Sequence, residues 1–249
     1  YLDLLDGQRA FLLTSDVEEF EPLALRIDDM LFDGELEPAY RLYERYHQRA
    51  EQRFEWLLTA LDEGLNFTYD SEMRLELDRQ DADRPTTEAE LDELWYKRLK
   101  NAALTLDISG QDAEQIENNL RQRYEGQLTR LRQTNDEDVF GLFMAAVTGS
   151  IDPHTEYLSP RQGESFDIQM SLALEGIGAM LQYDGEYVKV TSLVPGGPAD
   201  RAGVLQPADR IVGVAQEGEE NAVNVVGMRL DEVVDLIRGP KGTVVRLEV

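Results

Sequence analysis

The sequence predicts an α+β multidomain chain, an all-α region followed by a small module of strands with two helices, and three patterns carry that prediction. Through the first 150 residues apolar side chains recur every three or four positions, the spacing of one helix face. From Gly176 they alternate instead, as on a half-buried strand. The second part also holds the turn signals Asp184-Gly185, Pro195-Gly196-Gly197-Pro198 and Gly239-Pro240. A length of 249 residues accommodates two ordinary domains.

In chain order, Asp16 with Glu18 and Glu19 opens a helix, because acidic side chains favour the positive N-terminal end, and Asp33-Gly34 stops it. Residues 36–61 carry Ala39, Tyr43, Tyr46, Ala50, Phe54, Leu57 and Leu61 on one face of a second helix, which ends at Gly64. The stretch 66–84, where Met73, Leu75 and Leu77 alternate, reads as loop. Thr87-Glu88-Ala89-Glu90 fits a capping box ahead of a helix with Leu91, Leu94, Trp95, Leu99, Ala102 and Ala103 inward. Asp112 opens the next, burying Ile116, Leu120, Tyr124, Leu128 and Leu131. Asn135 caps the last, with Val139, Phe140, Phe143, Met144 and Val147 on its face, and Gly149 closes the helical part. Beyond it, 179–182 and 187–194 pair as strands around Asp184-Gly185, a dipeptide suited to the positive φ angles of a tight hairpin. A short helix at 199–202, a strand at 209–214, a helix holding Leu230, Val233, Val234 and Ile237, and a closing strand at 243–249 complete the module.

Fifty acidic against 24 basic residues give a net charge of −26, so nucleic acid and anionic membrane are repelled, and neither is an expected partner. Cysteine is absent, which removes disulfides, thiol catalysis and cysteine metal sites. No apolar run approaches the roughly 20 residues that span a bilayer, and there is no signal peptide. The opening Tyr1, and a last residue Val249 inside an alternating run, read as a piece of a longer protein. Only His47 and His154 occur. His47 lies mid-helix, and His154 lies between Asp152 and Glu156 next to Pro153, which holds the backbone extended. With no second histidine near, a structural role is expected, the imidazole bonding neighbouring backbone, and neither a metal nor another cofactor is.

The stretch with binding chemistry is Leu174-Glu175-Gly176-Ile177-Gly178-Ala179-Met180-Leu181. Two glycines around one apolar residue let backbone N–H groups converge without crowding by side chains, an arrangement that suits a carboxylate. Gly176, Ile177 and Gly178 are therefore the expected carboxylate donors. Ala179, Met180 and Leu181 would pair with the last residues of a peptide, and Leu230, Val234 and Ile237, spaced four and three on the later helix, would line an apolar groove. An ordinary glycine-containing strand entry, with the three helix residues as plain core, fits the same pattern; exposure separates the two. No lysine or arginine immediately precedes the glycines, so backbone dipoles would hold the carboxylate alone. As a dinucleotide site the stretch lacks both the third glycine and the following helix.

The order of Gly-Ile-Gly, the Gly-Gly-Pro-Ala turn with Ala202-Gly203, the run Asp209-Arg210-Ile211-Val212-Gly213-Val214 and the ending Ile237-Arg238-Gly239-Pro240-Lys241-Gly242 resembles a PDZ domain of protease type. Just before it, Asp152-Pro153-His154-Thr155-Glu156-Tyr157-Leu158-Ser159-Pro160 looks like the signature segment of the carboxyl-terminal processing peptidases. The helical region, including Thr134-Asn135-Asp136-Glu137-Asp138-Val139-Phe140, is similar to the N-terminal part of the tail-specific protease branch. The resemblance implies a helical domain at 1–149, a junction segment at 150–165 and a PDZ domain at 166–249. It implies a bacterial periplasmic serine endopeptidase that recognises the C-terminal tails of its substrates, prefers nonpolar ones and cuts with a Ser–Lys dyad. In that family the dyad follows the PDZ domain. None of the eight serines here sits in Ser-x-x-Lys and no Gly-x-Ser-x-Gly occurs, so no catalytic residue is expected in this chain, which alone should be inactive. Implied partners are substrate tails, the catalytic domain that an occupied groove would gate, and an adaptor protein. A non-enzymatic PDZ scaffold is the other class these residues fit.

Overall fold

The computed structural model describes residues 1–64, 72–152, 154–171 and 176–249, and forms two compact units, Tyr1–Ser159 and Pro160–Val249. The first unit holds α1 (Leu2–Asp6), α2 (Thr14–Phe20), α3 (Ile27–Asp33), α4 (Glu37–Asp62), α5 (Glu88–Ile108), α6 (Ala113–Arg132) and α7 (Asp136–Ile151). Its main core is built by α4, α5 and α6. Ala50, Phe54, Leu57 and Leu61 meet Leu91, Leu94, Trp95 and Leu99, with Ile116, Leu120, Tyr124 and Leu128 completing the cluster. Each fully buried leucine, such as Leu57 or Leu120, contributes about 1.5–3 kcal/mol. A second cluster joins Leu5, Leu12, Phe20 and Leu42.

Local chemistry sets the helix ends. Pro38 stands in the first turn of α4, where its missing N–H leaves no bond unmade, and Gly64 beyond the helix takes φ +90°. The Asp112/Gln115 and Asn135/Asp138 pairs cap α6 and α7 reciprocally. At α5 the Thr87 hydroxyl accepts from Glu90 N–H, but the Glu90 carboxylate reaches back to Thr86 N–H at 2.7 Å instead of to Thr87. The helix expected from Asp16 to Asp33 is interrupted: a 3-10 turn, Glu21–Arg26, separates α2 from α3, with Pro22 in it unable to donate into a helical ladder. Gly149 does not end α7, which continues to Ile151 and closes with Asp152 N–H on Thr148 C=O. Residues 72–84 form no strand; Leu75 packs against the main core and Leu77 is exposed. Residues 66–71 of that expected loop fall outside the described residues.

Two aspartates at the start of the unit are buried. The Asp6 carboxylate accepts from the N–H groups of Ala10 (2.7 Å), Phe11 (3.2 Å) and Leu12 (3.0 Å) and from Arg84 Nη1 (2.6 Å). Asp16 accepts from Leu13 N–H at 3.0 Å, from Arg45 at 2.7 Å and from Arg49 at 2.8 Å. Burial alone would raise the Asp16 pKa; the hydrogen bonds of Arg49 and Arg45 outweigh it and hold the carboxyl below its ordinary value.

The second unit holds α8 (Pro160–Ser171), β1 (Ala179–Asp184), β2 (Tyr187–Leu193), α9 (Pro198–Ala202), β3 (Arg210–Ile211), β4 (Gly213–Gln216), β5 (Val223–Asn224), α10 (Leu230–Ile237) and β6 (Val245–Glu248). Two antiparallel sheets, ordered β1-β2-β3 and β5-β4-β6, enclose Val188, Val190, Ile211, Val214, Val225, Val233 and Ile237. The expected strand at 209–214 is split. Its first half pairs with β2 and its second with β5 and β6, and at the crossing Val212 donates to Glu248 C=O while its own carbonyl receives Val225 N–H. The β1–β2 turn is Gly185-Glu186, since Asp184 already pairs with Tyr187; of these only Gly185 has positive φ, +69°. The helix α8 and the strand β5 have no counterpart in the sequence reading. Arg161 ties α8 to α10 through Asp231 and, at 3.0 Å, Asp235.

Candidate functional site

The loop before β1 turns on Gly178. Its φ is +73°, and a Cβ there would meet Gly197 Cα at 3.2 Å and Pro198 Cδ at 3.3 Å, so both backbone angle and contact require glycine. Gly176 is exposed, with φ +151°. The turn entering α9 fixes the loop's carbonyls: Ala199 N–H donates to Ile177 C=O and Val194 N–H to Gly178 C=O, each at 2.8 Å. A trans peptide places N–H opposite C=O, so the N–H groups of Gly178 and Ala179 point away from α9 and β2. They project along the outer edge of β1, which among the described residues has a strand on one side only. The Ala199 contact and the outward Ala179 N–H escaped the sequence reading, because they depend on a turn some twenty positions further on.

Along that edge Ala179 and Leu181 turn inward against the core, while Met180 is 62% exposed. The helix α10 packs beside β1. Its Leu230 is half-buried against the core, Ile237 is a core residue, and Val234 is half-buried without belonging to the core cluster. At the far end Tyr183 donates its hydroxyl to Met228 C=O, linking β1 to the segment before α10. From Gly178 to Tyr183 at about 3.3 Å per residue, the open edge is roughly 16 Å long.

Gly176, Ile177 and Ile237 share an apolar cavity of about 760 Å³ with Ala199, Leu205, Lys241, Val245 and Leu247 among others. Ala179, Met180, Leu181, Leu230 and Val234 lie on the strand and helix beside it and do not line it. Leu174 and Glu175 are outside the described residues, as is Pro153. His154 is exposed, and its backbone N–H donates to Asp152 Oδ1 at 2.9 Å, while no imidazole bond joins it to the described residues. His47 is half-buried on α4 beside Tyr43. No described helix is long and apolar enough to cross a membrane.

A pair of small antiparallel sheets with a glycine loop, an open edge strand and a helix alongside defines a PDZ-type module, here following a helical unit. Residues 1–161 match the family described as the tail specific protease N-terminal domain, and residues 165–249 match the PDZ domain family. The chain belongs to the tail-specific protease family. It is 37% identical over 250 residues to a tail-specific protease of Haemophilus influenzae, covering 100% of this chain and 36% of that protein. It is 36% identical over 132 residues to the carboxy-terminal processing protease CtpA of Bacillus subtilis, covering 52% of this chain and 27% of that protein. The chain thus spans about a third of the length of these curated relatives. A solved PDZ domain of a carboxy-terminal protease from Vibrio cholerae, in complex with peptide, is 58% identical over 30% of this chain and 74% of that one, with a TM-score of 0.29.

Proposed function

We propose that this chain is the substrate-recognition part of a periplasmic tail-specific serine endopeptidase, and that its PDZ module captures the free C-terminal end of nonpolar polypeptide tails. The N–H groups at Gly176, Ile177 and Gly178, joined by Ala179, receive the terminal carboxylate. The tail adds as a strand to the edge of β1, over Ala179, Met180 and Leu181, and its side chains meet Leu230, Val234 and Ile237. An open edge of roughly 16 Å takes four or five residues. Occupancy favours the active arrangement of a Ser–Lys catalytic domain outside these 249 residues. The observation that carries the reading is the outward direction of the Gly178 and Ala179 N–H groups, imposed by carbonyls anchored on Ala199 and Val194.

Fluorescence anisotropy tests it with one apolar peptide ending in Val, prepared with a free carboxylate and as its amide. A lost hydrogen bond to a charged group costs about 1.5–3 kcal/mol, so the amide should bind roughly 10- to 150-fold more weakly. Equal affinities would eliminate the carboxylate cradle. Val234→Glu should fold and weaken both peptides by ~10-fold or more, since it sets a carboxylate against the incoming apolar tail. An unfolded Val234→Glu chain would return that residue to the core.

A further inference from the structure

We propose that Tyr183 closes the far end of the tail groove and makes the module select a small residue at the fifth position from the end of the tail. This rests on the tail-binding reading and adds a specificity-determining residue to it. The register follows from the strand, since successive residues turn their backbone groups to opposite edges. Met180 C=O faces β2, where it receives the Thr191 hydroxyl at 3.1 Å, so Ala179, Leu181 and Tyr183 present theirs to the open edge. The bulge beside Met180 adds its extra residue, Thr191, to β2 and leaves the count along β1 unchanged. An antiparallel tail whose last residue lies opposite Ala179 therefore sets its third residue from the end opposite Leu181 and its fifth opposite Tyr183.

The side chains follow the same count. Ala179 and Leu181 pack on the core, while Met180 and Gln182 are exposed. Tyr183 shares the face of Ala179 and Leu181, and its ring crosses to the segment before α10, where the hydroxyl donates to Met228 C=O. That segment is itself held. Gly227 N–H donates to Glu186 C=O in the β1–β2 turn at 2.7 Å, and Met228 N–H donates to the C=O of the fully buried Val225 at 3.2 Å. The gap between β1 and the start of α10 is thus bridged twice at the hairpin end. Directly opposite residues of an antiparallel pair carry their Cβ atoms about 4.5–5.5 Å apart on one face, so the side chain of the fifth tail residue is aimed at the tyrosine ring. A methyl group clears the ring. A longer side chain has to push it aside and break the bond of its hydroxyl to Met228. The fourth tail residue, opposite Gln182, turns to solvent and meets no such limit.

The full 249-residue chain is titrated by fluorescence anisotropy with labelled apolar peptides ending in Val that carry Ala or Leu at the fifth position from the end, each as free acid and as amide. The wild-type protein should bind the Ala tail about 3- to 10-fold more tightly than the Leu tail, the worth of one hydrogen bond. The same exchange at the fourth position should change affinity by under ~2-fold. Tyr183→Phe, which keeps the ring without its anchor, should cut the preference to ~2-fold, and Tyr183→Ala should bind the Leu tail at least as tightly as the Ala tail. Equal wild-type affinities for the two free-acid tails, with the free acid still preferred to the amide, refute Tyr183 and spare the tail reading. An equal loss for both tails in Tyr183→Ala, the mark of a merely structural tyrosine, also refutes it. Tyr183→Phe removes a single oxygen from a partly exposed side chain, so its result stands by itself: an undiminished preference there refutes the link to Met228. A wild-type protein that does not distinguish free acid from amide refutes the tail reading, and the register built on it falls too.

Discussion

The Asp6 site of the helical unit and the 176–178 loop of the sheet unit have the same parts in opposite arrangements. At Asp6 a buried carboxylate belonging to the chain collects three successive backbone N–H groups and one partly buried arginine. At the loop, outward N–H groups stand at an accessible edge without a carboxylate of the described chain among them. The contrast shows how one chemistry serves two ends. An anion on a tether of fixed length freezes a segment, here residues 7–13, while the same donors left open are suited to an anion that comes and goes.

The contrast breaks most visibly at Asp6. Asp6→Ala leaves Arg84 and three N–H groups without their acceptor, so urea denaturation followed by helical circular dichroism should show a loss of about 3–5 kcal/mol, with tail affinity unchanged. A change under ~1 kcal/mol would mean that the internal cage is not structural. Asp16→Asn should cost about 1.5–3 kcal/mol at neutral pH, because Arg49 and Arg45 lose a charged acceptor. Its folded pKa lies below the unfolded value, so its stabilisation is present above that value, about 3.8, and disappears as pH falls through the folded pKa. An acid titration of stability should therefore be flatter in Asp16→Asn than in wild type below pH ~4.

Gly178→Ala sharpens the other half. A positive φ and a Cβ 3.2 Å from Gly197 should destabilise the module by ~1–2 kcal/mol and reduce the preference for the free tail, both readable in one set of anisotropy and melting measurements. A fully retained preference would show that the loop need not hold this shape. The smallest effect belongs to Arg161→Ala. Its pairs with Asp231 and Asp235 are partly exposed, so stability should drop by under ~1 kcal/mol, and faster amide exchange confined to α8 should accompany it.

Helix faces were legible because three- and four-residue spacing survives without knowledge of partners: Ala50, Phe54, Leu57 and Leu61 are the buried stripe of α4. The two small sheets were only half legible. Val212 gives no sign that the chain changes sheets there, since alternation along 209–214 is the same whether one partner or two receive it. The glycine loop announced itself by composition. Its donor direction did not, because that follows from the Val194 and Ala199 N–H groups that hold the Gly178 and Ile177 carbonyls.

The Asp6–Arg84 pair, with Thr14 N–H on Pro85 C=O, also has a consequence in time. During synthesis at about 5–20 residues per second, Arg84 is added roughly 4–16 s after Asp6. Over that interval Asp6 lacks Arg84 and Thr14 lacks Pro85, and the Ala10 carbonyl waits longer still for the Trp95 indole N–H. The opening segment of the helical unit is thus among its late contacts to form, and the nascent chain carries an apolar stretch that a chaperone can hold until α5 arrives.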